Sequence, residues 1–341
     1  MNLSKILIAP DSFKECLSSS EVAAVLAAAV REHWTRAEVV EMPLADGGEG
    51  TLDVLAKALG ADIRDTSVSD PLGRPVQARY GVAGGTAIIE IAQACGLSLL
   101  APAERNPLVA SSRGVGELLM AAYKEGCRHF IVGLGGSATC DGGAGMLEIP
   151  GLKEVKDITM ELLCDVDAPF VGPEGAARVF APQKGASAQD VEVLESRMVQ
   201  LADTIRQETG VNVAHLPGAG AAGGLGGAFM AYWNARRERG IERILELVGF
   251  EKALEGTSLI LTGEGKSDAQ TLMGKVPMGV LRHAKGIPVA LLSGRIENRP
   301  QLEQAGFSPI IEITPRSLTL SEALQPETAR HFLHEACTKL L

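Results

Sequence analysis

Residues 133–145, GLGGSATCDGGAG, place Ser137, Thr139 and Asp141 within a run of glycines. Glycine lets backbone N–H groups come close to a ligand, and the three side chains offer oxygen atoms to a polar substrate. Residues 133–138 also fit the dinucleotide pattern G-x-G-x-x-[G/A], but residues 218–223 fit it too with no strong strand before them. The pattern is therefore weak evidence for a nicotinamide or flavin cofactor.

Four further clusters contain charged side chains, three of them together with glycine, and three of the four follow a predicted strand. Loops at the carboxyl ends of parallel strands are where open α/β proteins bind ligands. Paired carboxylates can hold Mg²⁺, and a lysine on a glycine turn can bind phosphate. The clusters are Asp11, Ser12 and Lys14; Asp46, Gly47, Gly48 and Glu49; Lys184 and Gly185; and Gly263, Glu264, Gly265, Lys266 and Asp268.

Other kinds of catalytic site are poorly supported by the sequence. Residues 262–271, TGEGKSDAQT, resemble a P-loop, but that motif requires glycine where this chain has Ile260. The histidines form neither HExxH nor a Ser-His-Asp order, and the six cysteines lack zinc-ligand spacing. We interpret the cysteines as reduced thiols, of which Cys140 alone could react. The clusters together favour phosphoryl transfer, in which the protein positions groups and neutralises charge.

Composition and charge restrict the partners. The chain has 341 residues, 46% hydrophobic and 22% charged, with a net charge of −10. Its lysines and arginines are scattered, which argues against nucleic acid and anionic membrane surfaces. No apolar stretch approaches the roughly 18 residues that span a bilayer. The N-terminus also lacks the long apolar region of a secretory signal, so we expect a cytoplasmic protein that acts on small molecules; its oligomeric state is left open.

Strands alternating with amphipathic helices at both chain ends predict a parallel, doubly wound α/β sheet. The middle differs, because residues 80–92 are typical of an antiparallel hairpin around Gly84-Gly85. The length favours two domains, which we place at residues 1–65 with 256–341 and, inserted between them, a mixed α/β domain at 66–255. The other predicted strands are 5–9, 37–43, 130–132, 160–164, 258–262, 288–292 and 310–313, and the predicted helices are 20–33, 51–59, 115–125, 188–209, 225–239, 276–285 and 301–305.

As a set, the clusters resemble the bacterial type-2 glycerate kinase family of glyoxylate and galactarate metabolism. The resemblance implies a flavodoxin-like domain built from both chain ends and an inserted α/β domain. It implies Mg²⁺-dependent phosphorylation of D-glycerate by ATP, with 2-phosphoglycerate favoured over 3-phosphoglycerate. An NAD-binding oxidoreductase and a non-catalytic nucleotide-binding regulator are the alternatives. The resembling segments are IAPDSFKECLSS, PLADGGEGT, NPLVASSRGVGELL, GLGGSATCDGGAG, CDVDAPFVGPEGAARVFAPQKGAS, LPGAGAAGGLGGAFMA and LTGEGKSDAQTLMGKVPMGV.

The resemblance also implies roles for the matched residues, which are expected to face an interdomain cleft. One side would carry Asp11, Ser12, Lys14, Asp46, Glu49, Glu264, Lys266 and Asp268, and the other Arg113, Ser137, Thr139, Asp141, Asp165 and Lys184. Asp141 is expected to accept the substrate hydroxyl proton, and Arg113 or Lys184 to bind the glycerate carboxylate. Lys14 or Lys266 is assigned to phosphates. Mg²⁺ is assigned to Asp46, Glu264 and Asp268, and ATP to Gly47, Gly48, Gly135, Gly136, Gly263 and Gly265.

Two features depart from the family pattern. Cys140 stands where the family usually has asparagine, a change expected to keep the loop and make it sensitive to oxidation. Residues 146–159, MLEIPGLKEVKDIT, are shorter than the corresponding family segment, which has its own polar, glycine-rich turn. If the shortening is real, the inserted domain is expected to lack part of its edge.

Overall fold

The computed structural model describes residues 4–340. Its strands are β1 (Lys5–Ile8), β2 (Glu38–Glu41), β3 (Asp62–Ser69), β4 (Pro75–Ala83), β5 (Thr86–Glu90), β6 (His129–Gly133), β7 (Thr159–Leu163), β8 (Arg236–Glu238), β9 (Leu259–Ser267), β10 (Val289–Ile296) and β11 (Ile310–Glu312). Its helices are α1 (Ser19–His33), α2 (Thr51–Leu59), α3 (Ala92–Cys95), α4 (Arg113–Lys124), α5 (Ala144–Leu147), α6 (Ala176–Phe180), α7 (Ala188–Thr209), α8 (Leu225–Trp233), α9 (Gly240–Leu247), α10 (Phe250–Ala253), α11 (Ala269–Leu272), α12 (Val276–His283), α13 (Arg299–Ala305), α14 (Leu320–Ala323) and α15 (Pro326–Leu340). Short 3₁₀ turns lie at Leu97–Leu99, Pro102–Glu104, Pro182–Lys184 and Ala221–Gly224. None of the helices in this part of the chain is both long and apolar enough to span a bilayer.

The chain forms two compact units, one made of Met1–Asp46 and Ile241–Leu341 and the other of Gly47–Gly240. The predicted fold class, with one α/β unit built from both chain ends and a mixed one inserted, is confirmed. The predicted borders at 65/66 and 255/256 lie further along the chain than these limits. The reason at the first border is that α2 packs on β4 and β5, while β3 pairs along its length with β4.

The unit built from the chain ends contains a parallel sheet with the strand order β11-β10-β9-β1-β2. Counted within this unit and from the β2 edge, the order is 2-1-3-4-5, which is the flavodoxin-like arrangement. Apolar residues of β1, β9 and β10 form its core with α1 and α15. The strand order reverses between β1 and β9, and ligands of such sheets bind beyond the carboxyl ends of the strands at that reversal.

The inserted unit contains a mixed sheet with the order β3-β4-β5-β6-β7-β8. Strands β3, β4 and β5 are antiparallel, and the predicted hairpin turn is confirmed because Gly84 and Gly85 adopt φ of +53° and +84° between β4 and β5. Strands β5 to β8 are parallel. Their carboxyl ends therefore lie at one edge of the sheet, where β6 leads into residues 133–145.

Most predicted elements are found with ends shifted by a few residues, but one prediction is wrong. Residues 225–239 do not form a single helix, because α8 ends at Trp233 and Arg236–Glu238 form the edge strand β8 paired with β7. Asn234 ends the helix with φ of +49°. Asparagine tolerates this left-handed conformation better than most residues, yet its presence alone does not mark a helix end. Strand β3 and helix α15 have no counterpart among the predicted elements.

The segment between α5 and β7 is an integral part of the inserted unit. Ile149 and Leu152 belong to its hydrophobic core, and Val155 is buried beside them. The indole N–H of Trp233 donates a hydrogen bond of 3.1 Å to the carbonyl oxygen of Val155. The chain thus crosses from α5 to β7 by packed turns.

Residues 133–145, which we call the glycine loop, pack backbone to backbone against residues 47–48. A Cβ atom on Gly133 would lie 2.6 Å from the carbonyl oxygen of Gly47, and one on Gly135 would collide with Cα of Gly48. The N–H of Gly135 also donates to the Gly47 carbonyl oxygen at 3.0 Å. These glycines are therefore required by the close approach of two chain segments.

We expect Gly133→Ala to lower the free energy of unfolding by about 3 kcal/mol, because neither backbone can move away from the added methyl group. The control is Gly210→Ala, at the end of α7, where φ is +78° and nothing lies within 4 Å of the added atom. That change should cost about 1 kcal/mol through backbone strain alone. Urea unfolding measured by Trp233 fluorescence in a Trp34→Phe background reports on this unit, and equal losses in both variants would contradict the steric explanation.

Candidate active site

Three carboxylates lie near the carboxyl ends of β1, β2 and β9, and we call Asp11, Asp46 and Glu264 the acid cluster. Asp11 is only 5% exposed and Glu264 only 4%. Burial raises the pKa of Asp11 well above its usual range, and the neighbouring Asp46 and Glu264 raise it further. The N–H of Ser12, 2.7 Å from Asp11 Oδ1, and the charge of Lys14 act in the opposite direction. Two buried carboxylates beside a half-buried third one favour a bound cation.

Glu264 is held by hydroxyl groups that the sequence analysis did not identify. Its Oε1 accepts hydrogen bonds from Ser267 Oγ at 2.9 Å and Thr271 Oγ1 at 2.6 Å. Burial raises the pKa of Glu264, whereas Thr271 and the positive charge of Lys275 lower it. The sequence carries no specific signal for these residues, because Ser267 ends β9 and Thr271 lies in the short helix α11.

The remaining charged residues predicted for this unit have different surroundings. Asp268 caps α11, since its Oδ1 accepts the N–H of Gln270 at 2.8 Å. Lys266 is exposed, and its Nζ lies 3.1 Å from a carboxylate oxygen of Glu297 and 3.5 Å from one of Asp268. Lys14 is exposed close to Asp11, and so it is the predicted lysine that acts on the acid cluster.

Ser12 carries an unsatisfied hydroxyl in the same region. Its Oγ is buried and has no hydrogen-bond partner among residues 4–340. A buried hydroxyl without a partner costs free energy, so such groups in native proteins mark a place for a ligand or a water molecule. This position follows β1 at the reversal of the strand order, where the fold predicts ligand binding.

Lys184 is the most deeply buried charged group of the inserted unit. It is 2% exposed, and its Nζ donates to Ser137 Oγ at 2.8 Å and to the carbonyl oxygen of Thr139 at 2.7 Å. Burial lowers the pKa of Lys184. No carboxylate in residues 4–340 forms an ion pair with it. An ammonium group that is buried on neutral oxygens attracts an anionic ligand strongly.

Asp141 links the glycine loop to the start of α4. Its Oδ2 accepts hydrogen bonds from the N–H and the Oγ of Ser112, both at 2.8 Å, and from Gly145 N–H at 3.2 Å. Its Oδ1 accepts from Gly143 N–H at 3.1 Å. These four hydrogen bonds fix the loop beside Arg113, which is the first residue of α4.

The other predicted residues of this unit lie nearer to solvent. Arg113 is exposed, and its Nε lies 3.2 Å from a carboxylate oxygen of Glu117. Asp165 follows β7, and its Oδ1 accepts the N–H of Gly240 at 2.9 Å. Glu49 is exposed just before α2. Arg113 is therefore placed to meet a ligand from solvent, whereas Asp165 is partly engaged with the backbone.

The glycines expected to line ATP fall into two groups. Three of them have neighbours that leave no room for a side chain, and these are Gly47 against Leu163, Gly135 against Gly48, and Gly263 against the Leu292 carbonyl. Gly136 is exposed with φ of +75°, and Gly265 has only an ordinary contact with Lys14 N at 3.5 Å. Gly136 and Gly265 thus have the more open surroundings.

The two dinucleotide-pattern matches do not form a dinucleotide site. The second match packs against the glycine loop, because the N–H of Gly142 donates to the Gly223 carbonyl oxygen at 2.9 Å. A Cβ atom on Gly223 would collide with the carbonyl oxygen of Thr139. No helix begins at residue 138, since α5 starts at Ala144. These glycines allow the chain to pack on itself, and the loop lacks the helix terminus that binds a pyrophosphate.

Cys140 is not a reactive thiol in this structure. It is 1% exposed, and burial raises its pKa to about 11. Its Sγ lies 3.8 Å from Met198 Sδ. Because the thiolate is the form that is oxidised, the expected sensitivity to oxidation is not supported.

The acid cluster fits a Mg²⁺ ion that is held partly by protein carboxylates and partly by water and substrate phosphates. Among residues 4–340 there is no group of three metal-binding side chains close enough to form a metal site from protein ligands alone. Mg²⁺ usually keeps several water molecules and binds one or two carboxylates together with phosphates of a substrate. Asp11, Asp46 and Glu264 offer carboxylates for that mode of binding.

Comparison with known proteins gives consistent matches. The model of the glycerate kinase family matches residues 6–153 and 150–341. The glycerate kinase of Bacillus subtilis (strain 168) is 39% identical over 94% of this chain and 93% of its own. The glycerate 2-kinase of Escherichia coli (strain K12) shows the same identity and coverage. The crystal structure of a protein described as glycerate kinase 2 from Salmonella typhimurium LT2 superposes with a TM-score of 0.83 at 38% identity, covering 99% of this chain and 97% of the other.

Proposed function

The chain belongs to the glycerate kinase family, and we propose that it transfers the terminal phosphoryl group of ATP to the 2-hydroxyl group of D-glycerate. The observation that carries the proposal is the buried Lys184 ammonium, because it rests on neutral oxygens without an ion pair among residues 4–340 and an anionic substrate would balance its charge. The 2-hydroxyl is preferred over the 3-hydroxyl because a relative of 39% identity is named glycerate 2-kinase.

The glycine loop is the proposed binding site for glycerate. Lys184 and Ser137 bind the carboxylate, since a buried ammonium and a hydroxyl are donors that suit an anionic oxygen. Arg113 approaches the substrate from solvent as a second cation. Asp141 acts as a positioning residue, because its oxygens already hold Ser112, Gly143 and Gly145. This role replaces the predicted one, in which Asp141 accepts the proton of the substrate.

The acid cluster and its neighbours are the proposed binding site for the phosphates of ATP. One or two of the carboxylates of Asp11, Asp46 and Glu264 would hold Mg²⁺, which when bound neutralises negative charge on the phosphate oxygens. Lys14 supplies a further positive charge, and the unpartnered Oγ of Ser12 donates a hydrogen bond. Asp268 and Lys266 lie outside this set. Asp268 caps α11, and Lys266 forms ion pairs with Asp268 and Glu297.

A coupled assay tests both the activity and the position of phosphorylation. The protein is incubated with ATP, Mg²⁺ and D-glycerate, and enolase, pyruvate kinase and lactate dehydrogenase report 2-phosphoglycerate as loss of NADH absorbance. We expect the same rate with and without phosphoglycerate mutase. A signal that requires the mutase would mean 3-phosphoglycerate, and the absence of a signal in both arms would refute the kinase proposal. Omission of glycerate is the control for ATP hydrolysis.

A further inference from the structure

A second cavity lies at the end of the inserted sheet opposite to the glycine loop. Strands β6, β7 and β8 run parallel, and their first residues, His129, Thr159 and Arg236, line a cavity of ≈ 550 Å³. Strand β6 leads from this cavity to the glycine loop, a distance of roughly 15 Å for extended chain of this length. The cavity is therefore separate from the residues proposed to bind glycerate.

One wall of the cavity is aromatic and firmly held. Trp233 is buried, and its indole N–H donates to the carbonyl oxygen of Val155 at 3.1 Å. The hydroxyl of Tyr232 donates to a carboxylate oxygen of Glu208 at 2.5 Å, and its ring centroid lies 5.9 Å from that of Trp233. Met160 is buried at the same cavity. A rigid apolar wall of this kind binds the flat or apolar part of a small molecule.

The rim of the cavity is basic. Lys156 and Arg236 are exposed residues that line it, and the Nζ of Lys156 lies 3.5 Å from the neutral carbonyl oxygen of Tyr232. The carboxylate that lines the cavity, that of Glu161, lies 3.4 Å from Nε2 of His129. The chain as a whole carries a net charge of −10, so this local excess of positive charge distinguishes the cavity from the average surface. Positive charge at the mouth of a concave site attracts anions.

We propose that this cavity binds a small organic anion, whose phosphate or carboxylate lies between Lys156 and Arg236 and whose apolar part lies against Trp233. Its volume falls within the range of about 300–1,000 Å³ that is usual for small-molecule sites. Three residues that line it, Lys156, Ile158 and Thr159, lie at the end of the segment 146–159. The two matches to the family model overlap nearby in the chain, at residues 150–153. The cavity is thus lined in part by the turns that connect α5 with β7.

Fluorescence of Trp233 gives a direct binding test. The chain has two tryptophans, so Trp34→Phe leaves Trp233 as the single reporter. Phenyl phosphate and benzoate are the probes that separate phosphate from carboxylate recognition, and benzyl alcohol is the neutral control. We expect at least one anion to change the fluorescence with saturation below about 10 mM, and benzyl alcohol to leave it unchanged at that concentration. Titration is repeated with ATP, Mg²⁺ and D-glycerate present at saturation, and the anion should still bind.

Charge removal provides the second arm of the test. In the Trp34→Phe background, the pair of changes Lys156→Ala and Arg236→Ala should raise the Kd of the bound anion about tenfold or more. Lys285→Ala, which removes an exposed lysine of the other unit, should leave the Kd unchanged. Far-UV circular dichroism checks that the double variant is folded, and its kinase rate without added anion should equal that of the parent. No fluorescence change with either anion, an equal Kd in the double variant, or competition by the substrates would each overturn the proposal.

Discussion

Lys184→Met is expected to lower kcat/KM for D-glycerate about a thousandfold, with most of the loss in KM. Methionine has a similar length and suits the buried site, but it removes the ammonium that we propose binds the substrate carboxylate. Loss of a charge-assisted contact in a site that excludes water commonly costs about a hundred- to a thousandfold in rate. Initial rates over a range of glycerate concentrations separate the effect on KM from that on kcat.

Lys57→Met is the matched control, because Lys57 is an exposed lysine on α2 of the same unit. It should keep the activity of the unmodified enzyme. If Lys184→Met retained the full kcat/KM, or if its loss were confined to the KM for ATP, Lys184 would not bind the glycerate carboxylate. The proposed function would survive that result, whereas the assignment of the glycine loop to glycerate would fail.

The same variant has a defined effect on the pH dependence of stability. Burial lowers the pKa of Lys184 in the folded protein below its usual value of 10.5. At a pH between the folded-state pKa and 10.5, the unfolded chain therefore keeps a proton that the folded chain has lost. The free energy of unfolding of the unmodified protein therefore rises with pH through that window. At lower pH the full penalty of burying the charge is present. The difference in stability between Lys184→Met and the unmodified protein should thus shift in favour of the latter as the pH rises towards 10.5.

The sequence places Asp11 and Glu264 in polar clusters that come after apolar runs. Parallel strands bring such clusters to one edge of a sheet, and in the structure the charge of Glu264 acts on Asp11. Their pKa shifts were beyond prediction, since these depend on burial and on which carboxylates become neighbours. Ser267 and Thr271 were missed because hydroxyl residues are common in loops, and only the hydrogen bonds to Glu264 show their role.

The hydrogen bonds of Asp141 show a second limit of sequence reasoning. A carboxylate in a glycine-rich loop is a reasonable proton acceptor when nothing else is known. Its partner Ser112 lies 29 positions earlier in the chain, and the sequence contains no signal that joins them. The glycines present the same difficulty. Gly133 and Gly223 are needed where two backbone segments approach closely, but in the sequence they look like part of a phosphate-binding motif. The sequence thus shows which residues have side chains suited to a site. What each of them does depends on contacts between segments that are distant in the chain.

Asp11→Asn is expected to lower kcat about a hundredfold and to raise the Mg²⁺ concentration needed for half-maximal rate about tenfold. Asparagine has the same shape and can still accept the hydrogen bond from Ser12 N–H, so the loop after β1 should keep its conformation. What is lost is the negative charge that Asp11 contributes beside Asp46 and Glu264. Rates measured against Mg²⁺ at saturating ATP and glycerate give both quantities.

The variant should also be at least as stable as the unmodified protein at neutral pH, because it relieves repulsion among buried carboxylates and the burial of one charge. Glu297→Gln is the matched control, since Glu297 is an exposed carboxylate of the same unit that pairs with Lys266. It should change neither kcat nor the Mg²⁺ dependence. A loss of activity accompanied by a loss of stability would indicate that Asp11 serves the fold, whereas lower activity in a protein of equal or greater stability assigns it to the metal and the phosphates.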